Sequence, residues 1–171
     1  QCGPEQMRER FRLEVQAIAG LEHPAILPVY QVGEQEGLPW FTMKLATGGS
    51  LATVRAGFEG DWRAIASLVA TLGDAVQFAH ERGVLHRDLK PGNILFDESE
   101  RPYISDFGLA KVIGTTNDLT CSVDFLGTPH YAAPEVAASS AHDATTSSDI
   151  YSLGAILFEL LTGRPPFDAE S

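Results

Sequence analysis

The sequence predicts a mixed α+β fold, and three features of its patterning carry that expectation. Two long stretches, 61–82 and 146–161, repeat apolar residues at helical spacing. Near the beginning, two short apolar runs flank a turn-rich segment, which is the pattern of an antiparallel hairpin. Between the helical stretches lie about 60 residues with only short β-like runs, and an irregular stretch of that length in a patterned, apolar chain usually carries function.

In chain order, residues Pro4 to Ala19 place Met7, Phe11 and Ile18 on one helical stripe, with Gly20 as the stop. Glu14 falls on the same stripe. A carboxylate there either meets a cation, because an unpaired buried charge is costly, or sits at the edge of the stripe and snorkels to water. No early lysine is an obvious partner, so the cation would come from upstream of Gln1. The runs Ile26 to Val32 and Trp40 to Leu45 flank GEQEGLP and form the expected hairpin, and Gly48, Gly49 and Ser50 end it. From Asp61 to Arg82, apolar residues at Trp62, Ile65, Val69, Leu72, Val76 and Ala79 alternate steps of three and four. That predicts a long core helix with Asp61 as N-cap and Gly83 as stop. In the second long helix, Ser147 or Ser148 is the expected cap, and Gly163 with Pro165 and Pro166 the end. Its Ile150, Leu153, Ile156, Leu157, Leu160 and Leu161 make it apolar nearly all round, the mark of a buried central helix.

Composition narrows the function classes. With 171 residues, 44% hydrophobic and 20% charged, the chain is one domain or a piece of one with material for a real core, which excludes disorder. Twelve Lys and Arg against 23 Asp and Glu give a net charge of -11 with no basic run, which argues against a nucleic-acid partner. No stretch reaches the roughly 20 apolar residues that span a bilayer, so no membrane contact by this segment is expected. The start carries no signal-peptide pattern, and Cys2 and Cys121 lack CxxC spacing, so a reducing, cytoplasmic compartment fits best. The first residue, Gln1, hints at a chain cut from a longer one.

The irregular stretch contains His86-Arg87-Asp88-Leu89-Lys90-Pro91-Gly92-Asn93. Asp106-Phe107-Gly108 begins thirteen residues after Asn93, and Gly127-Thr128-Pro129-His130-Tyr131-Ala132-Ala133-Pro134-Glu135 follows. Singly, Asp88 reads better as a turn-capping carboxylate, Asn93 as an Asx-turn residue and Asp106 as the first residue of a β-turn before Gly108. In order and between two long helices, the three motifs resemble those of the eukaryotic-type serine/threonine protein kinase family, whose known signatures are H-R-D-L-x-x-x-N, D-F-G and A-P-E, and the Ala-rich, Lys-poor style resembles its bacterial (Hanks-type) members.

The resemblance implies a bilobal kinase-like fold, here incomplete. Residues 1–45 would be the remainder of the β-rich small lobe, and 46–171 the hinge and first half of the mainly helical large lobe. The chain would run from the family's C helix to just after its F helix. The implied activity is transfer of the γ-phosphoryl of Mg-ATP to a protein Ser or Thr hydroxyl. Such chemistry needs a group to orient the hydroxyl, and metal ions and cations to neutralise the phosphates. The resemblance assigns Asp88 as base, Lys90 to the transferred phosphate, and Asn93 and Asp106 to Mg²⁺, whose hard oxygen ligands they would supply. Around the nucleotide it places Glu14, the gatekeeper Met43, the hinge residues Lys44, Leu45 and Ala46, and Leu95 beneath the adenine. Lys44 departs from the family, where that position is often acidic. His86 would be a packing residue beside Ile18, Val29 and Phe107, and Asp149 would anchor the catalytic loop. Arg87 would pair with a phosphate on the following segment, with Thr120 and Ser122 as its candidate sites, while Thr128 belongs to the substrate-docking loop.

Two parts of the family pattern are absent from this sequence: the G-x-G-x-x-G loop and V-A-I-K lysine upstream, and the last helices of the large lobe downstream. The chain alone is therefore expected to be a weak or inactive catalyst, cut from an active parent. The competing expectations are a pseudokinase scaffold, which intact Asp88, Asn93 and Asp106 oppose, and a small-molecule phosphotransferase, which the peptide-docking loop opposes. Expected partners are a Ser/Thr-bearing protein substrate and a transient homodimer for trans-phosphorylation, and by analogy with bacterial members the domain would lie on the cytoplasmic side of a membrane anchor.

Overall fold

The computed structural model describes residues 17–35, 38–107, 129–138 and 144–167. The expected N-terminal helix lies mostly outside them, Glu14 included, as do residues 108–128 with Thr120, Ser122 and Thr128. Residues 17–19 are helical and Gly20 is a turn, as expected.

The hairpin forms from β1 (Val29–Gln35) and β2 (Leu38–Met43), antiparallel with Val29 opposite Met43 and Gln35 opposite Leu38. Its strands are as long as the two apolar runs but lie two to three residues closer to the turn, because much of GEQEGLP joins the ladder. The glycine that looks like a turn residue is a packing residue. Gly33 lies opposite Trp40, and a Cβ on it would come within 2.3 Å of the indole.

The chain then passes through a short helix, α1 (Leu51–Val54), and a 3-10 turn, Arg55–Phe58, into α2 (Trp62–His80). Asp61 caps α2, its Oδ1 accepting from Ala64 N at 2.9 Å, and Gly83 follows it at φ 73°. Ile65, Leu68, Leu72, Ala75, Val76 and Ala79 are the buried face. Trp62, expected to begin that stripe, is instead 60% exposed, and the buried face begins at Ile65.

After α2 come β3 (Ile94–Phe96) and β4 (Pro102–Ile104), a second antiparallel pair, then α3 (Pro134–Ala138) and α4 (Thr146–Thr162). Helix α4 begins at Thr146 as expected, but its cap lies two residues before the first of the two expected serines. Thr145 is the N-cap and Ser148 its reciprocal partner, the Ser148 hydroxyl accepting from Thr145 N at 3.0 Å. Gly163 closes the helix at φ 77° and donates its N–H to Glu159 O at 2.7 Å. Helix α4 is not covered all round by the described residues. Leu153, Ala155 and Ile156 are buried, whereas Ile150 is 54% exposed and Phe158 and Leu161 are also open. The covered face is also the one that carries Asp149, Ser152 and Glu159.

One apolar cluster joins these parts. It includes Ile18 and Ile26 from the N-terminal side, Leu72 and Val76 of α2, Ile94 and Ile104 of the second hairpin, Phe107, and Leu153 and Ile156 of α4. Main-chain bonds from Leu27 N to Ile104 O and from Ile104 N to Ala25 O, both 2.9 Å, tie the first half of the chain to β4.

Candidate active site

The segment 84–93 carries the candidate catalytic residues and has little regular structure to hold it. Its main chain is pinned by a carboxylate from α4. Asp149, 1% exposed, accepts from His86 N and His80 Nε2 at Oδ2 (2.9 and 2.8 Å) and from Arg87 N at Oδ1 (2.9 Å). The bonds hold Arg87 in the left-handed region, φ 67°, which a non-glycine residue seldom adopts.

His86 is fully buried, and its bonding identifies its tautomer. Nε2 donates to Ser105 O at 2.9 Å, and Nδ1 accepts from Asp88 N at 3.3 Å. A neutral ring satisfies both, and burial pushes its pKa down, which agrees. The ring packs on Phe107 with centroids 4.8 Å apart, so the packing role expected for His86 holds for that neighbour, while Ile18 and Val29 belong to the same core.

The structure brings Asp88, Lys90 and Asn93 together. Lys90 Nζ donates to Asp88 Oδ2 at 2.7 Å. Asn93 Nδ2 donates to Asp88 O at 2.8 Å and stands 3.4 Å from Asp88 Oδ2. The short 3-10 turn Pro91–Asn93 makes this possible by folding Asn93 back over Asp88. Asp106 joins through Ser105, whose N and Oγ donate to Asn93 O at 2.9 and 3.2 Å and whose Oγ also reaches Asp106 Oδ2 at 3.3 Å. Asp106, at φ 60°, is exposed.

Met43, Lys44, Leu45 and Ala46 lie at the end of β2 and in the segment after it. Lys44 N donates to Pro28 O at 3.0 Å, and Leu45 is 81% exposed. Gly48 N donates to Phe96 O at 2.8 Å and Phe96 N to Gly49 O at 2.9 Å, which lays this segment against β3, where Leu95 sits. Among the described residues, no hydrogen bond or ion pair links Met43 to Ala46 directly with the Asp88 cluster.

The sequence profile described as "Protein kinase domain" matches residues 3–171. The chain belongs to the protein kinase domain family. It is 41% identical over 172 residues to the DNA damage-responsive serine/threonine-protein kinase RqkA of Deinococcus radiodurans, an alignment that covers 98% of this chain and 25% of that one. It is 42% identical over 167 residues to the serine/threonine-protein kinase PknJ of Mycobacterium tuberculosis, covering 95% and 28%. The crystal structure of the Mycobacterium tuberculosis PknI kinase domain superposes with a TM-score of 0.72 at 28% identity, covering 99% of this chain and 61% of that one. The chain thus spans about a quarter of the length of these curated relatives.

Two polar clusters of this kinase domain have no counterpart in the sequence reading. On α4, Glu159 is 3% exposed, bonds to Arg55, and accepts from Tyr131 Oη at 2.6 Å. Burial, with the Glu159 hydrogen bond second, raises the Tyr131 pKa far above the phenolic range. The signal was present, since Glu159 lies three residues from Ile156 and seven from Ser152, on the covered stripe of α4. The other cluster joins Lys44 to Asp97 and Tyr103, and nothing in the local sequence links residues so far apart.

Proposed function

We propose that the protein is an ATP-dependent serine/threonine protein kinase of the bacterial type, transferring the γ-phosphoryl of ATP to a Ser or Thr hydroxyl of a protein substrate. The observation that carries this is the contact set of Asp88, Lys90 and Asn93 on a loop pinned from α4. Asp88 is held by its own main chain and by two side chains, so its carboxylate can receive and aim the substrate hydroxyl before transfer. As the new O–P bond forms and the bond to the β-phosphate oxygen breaks, the hydroxyl proton passes to Asp88 and ADP leaves. Lys90, already within 2.7 Å of Asp88 Oδ2, offsets the negative charge gathered around the transferred group.

The residues fit magnesium. Asn93 turns its nitrogen to Asp88, which leaves its oxygen to coordinate, and Asp106 supplies an exposed carboxylate, a hard all-oxygen pair. Bound there, Mg²⁺ would neutralise phosphate charge. Lys44, Leu45 and Ala46 are the hinge that takes adenine, with Met43 as gatekeeper, Leu95 beneath the ring and Glu14 on the small-lobe side. On this reading residues 1–45 are small lobe and 46–171 hinge and large lobe. No helix among the described residues is long and apolar enough to cross a membrane. We place the domain in the cytoplasm, anchored if at all by other segments, with transient self-association for trans-phosphorylation.

The test is phosphate transfer from labelled ATP to a generic Ser/Thr substrate by the product of the complete open reading frame, beside Asp88→Asn. Magnesium-dependent transfer that falls by about 10²–10⁴-fold in the variant is expected. Undiminished transfer by the variant would remove Asp88 from the chemistry. Nucleotide binding without transfer in either protein would make this a pseudokinase scaffold.

A further inference from the structure

The segment proposed as the hinge is poorly held by burial, since Leu45 at its centre is 81% exposed. Its position depends on its ends. At the rear, Gly48 and Gly49 are bonded to Phe96, and a Cβ on Gly48 would lie 2.6 Å from Asp97 O, so the backbones touch there. At the front, the Lys44 main chain is fixed to Pro28 O, while its side chain crosses to the turn between β3 and β4. There Nζ donates to Asp97 Oδ2 at 2.9 Å and to Tyr103 Oη at 2.6 Å, and Tyr103 Oη donates to Asp97 Oδ2 at 3.0 Å. The ammonium also lies 4.1 Å from the centre of the Tyr103 ring.

Two features separate this triangle from an ordinary surface ion pair, which contributes little. The Lys44 and Asp97 side chains are only 27% and 16% exposed. The Asp97 carboxylate is also aimed in advance, because its other oxygen accepts from Ser99 N at 2.9 Å and Arg101 N at 3.1 Å within the turn. The Lys44 hydrogen bond above all holds the Asp97 carboxyl well below the usual carboxylate range, and Tyr103 and then Asp97 raise the pKa of Lys44. The pair is therefore charged throughout the neutral range.

We infer that Lys44, Asp97 and Tyr103 form a brace that fixes the hinge against the β3–β4 turn and so sets the position of the main-chain groups that take adenine. This rests on the kinase reading of residues 44–46. Asp97 and Tyr103 are positioning residues. They act on nucleotide binding through Lys44 and share no hydrogen bond or ion pair with Asp88, Lys90 or Asn93 among the described residues. Their loss should therefore be felt in nucleotide affinity and not in the transfer step.

The experiment uses the full-length protein with Asp97→Asn, Tyr103→Phe, Lys44→Met, Lys44→Arg and the Lys44→Met/Asp97→Asn double variant. It reads ADP affinity by equilibrium binding, and kcat and KM for ATP by transfer. A weakening of about 3–10-fold in ADP Kd and ATP KM is expected for Asp97→Asn, less for Tyr103→Phe, with kcat for both within about twofold of the parent. The double variant should be no weaker than the worse single one, since both remove one interaction, and Lys44→Arg should restore most of the affinity. Unchanged Kd in Asp97→Asn and Tyr103→Phe, a kcat that falls in step with KM, or fully additive losses would each overturn the brace. Tyr103→Phe removes one hydroxyl and leaves the ring, so it remains informative if a charge variant fails to fold. Coupled losses of ADP affinity in a protein that transfers no phosphate would uphold the brace and overturn the kinase activity, whereas a parent that binds no nucleotide would overturn both.

Discussion

Replacing Asp149 should release the segment 84–93, and the size of the effect follows from the three donors that this carboxylate accepts. Asp149→Ala deprives the main-chain N–H groups of His86 and Arg87, and Nε2 of His80, of their acceptor in a site that is 1% exposed. An orphaned buried donor costs about 1–3 kcal/mol, and three donors lose their acceptor together here. The left-handed Arg87 also loses its restraint and can relax, which carries Asp88 away from Lys90 and Asn93. Asp149→Ala should therefore lose about 3–5 kcal/mol of stability, within the 5–15 kcal/mol typical of a domain, together with most of its transfer activity. Asp149→Asn keeps one acceptor oxygen but turns an NH₂ toward a donor, so about 1–3 kcal/mol is expected. Urea unfolding of the full-length protein, read as a shift in midpoint at constant slope, measures both, beside ATP turnover. An Asp149→Ala protein within about 1 kcal/mol of the parent and fully active would refute the claim that this carboxylate holds the loop.

Two further predictions follow from buried groups and close contacts. His86 stays neutral when folded, because burial lowers its pKa, but takes a proton near pH 6.5 when unfolded, so its contribution is complete above that pH and lost as pH falls below it. Stability curves from pH 7.5 to 5 should include a component of up to about 1.4 kcal/mol per pH unit that is absent in His86→Phe; identical slopes would show that the ring is not held neutral. Gly48→Ala sets a Cβ 2.6 Å from Asp97 O and 2.9 Å from Phe96 O, both backbone atoms, so a loss of about 1–3 kcal/mol on thermal or urea unfolding is expected, and wild-type stability would mean that the Gly48 main chain does not approach β3 so closely.

What the sequence revealed and what it hid divide along physical lines. The hairpin, both long helices, the Asp61 cap and the Gly163 stop were legible because each rests on residues within a few positions of one another. Asp88, Lys90 and Asn93 were grouped only through the family resemblance, since Asp88 and Asn93 taken alone read as turn residues; their mutual contacts close within one short loop. The extent of β1 and β2 was hidden, since Gly33 carries a turn signature for a reason that only Trp40 across the ladder explains. The open face of α4 was hidden as well, because apolar content records what a helix can bury and not what covers it. Least visible were Lys44 with Asp97 and Arg55 with Glu159, pairs drawn together by the fold from distant stretches of sequence.

The same division explains how so short a motif specifies an irregular loop. Between His86 and Asn93 most of the chain follows neither helix nor strand, so no repeating ladder satisfies its polar groups. The donors at His86 and Arg87 go to Asp149, that of Asp88 goes to the His86 ring, and that of Asn93 to Lys90 O. The acceptors are met by the Asn93 side chain at Asp88 O and by Ser105 at Asn93 O. His86, Arg87, Asp88, Lys90 and Asn93 thus each give or receive a bond that completes the main chain of this segment, so substitution of His86 or Asn93 leaves an unpaired backbone group. A helix or strand could supply rigidity more cheaply, but its fixed period would not set a carboxylate, an ammonium and an amide on one point. The left-handed turn at Arg87 does, and Asp149 lets it persist.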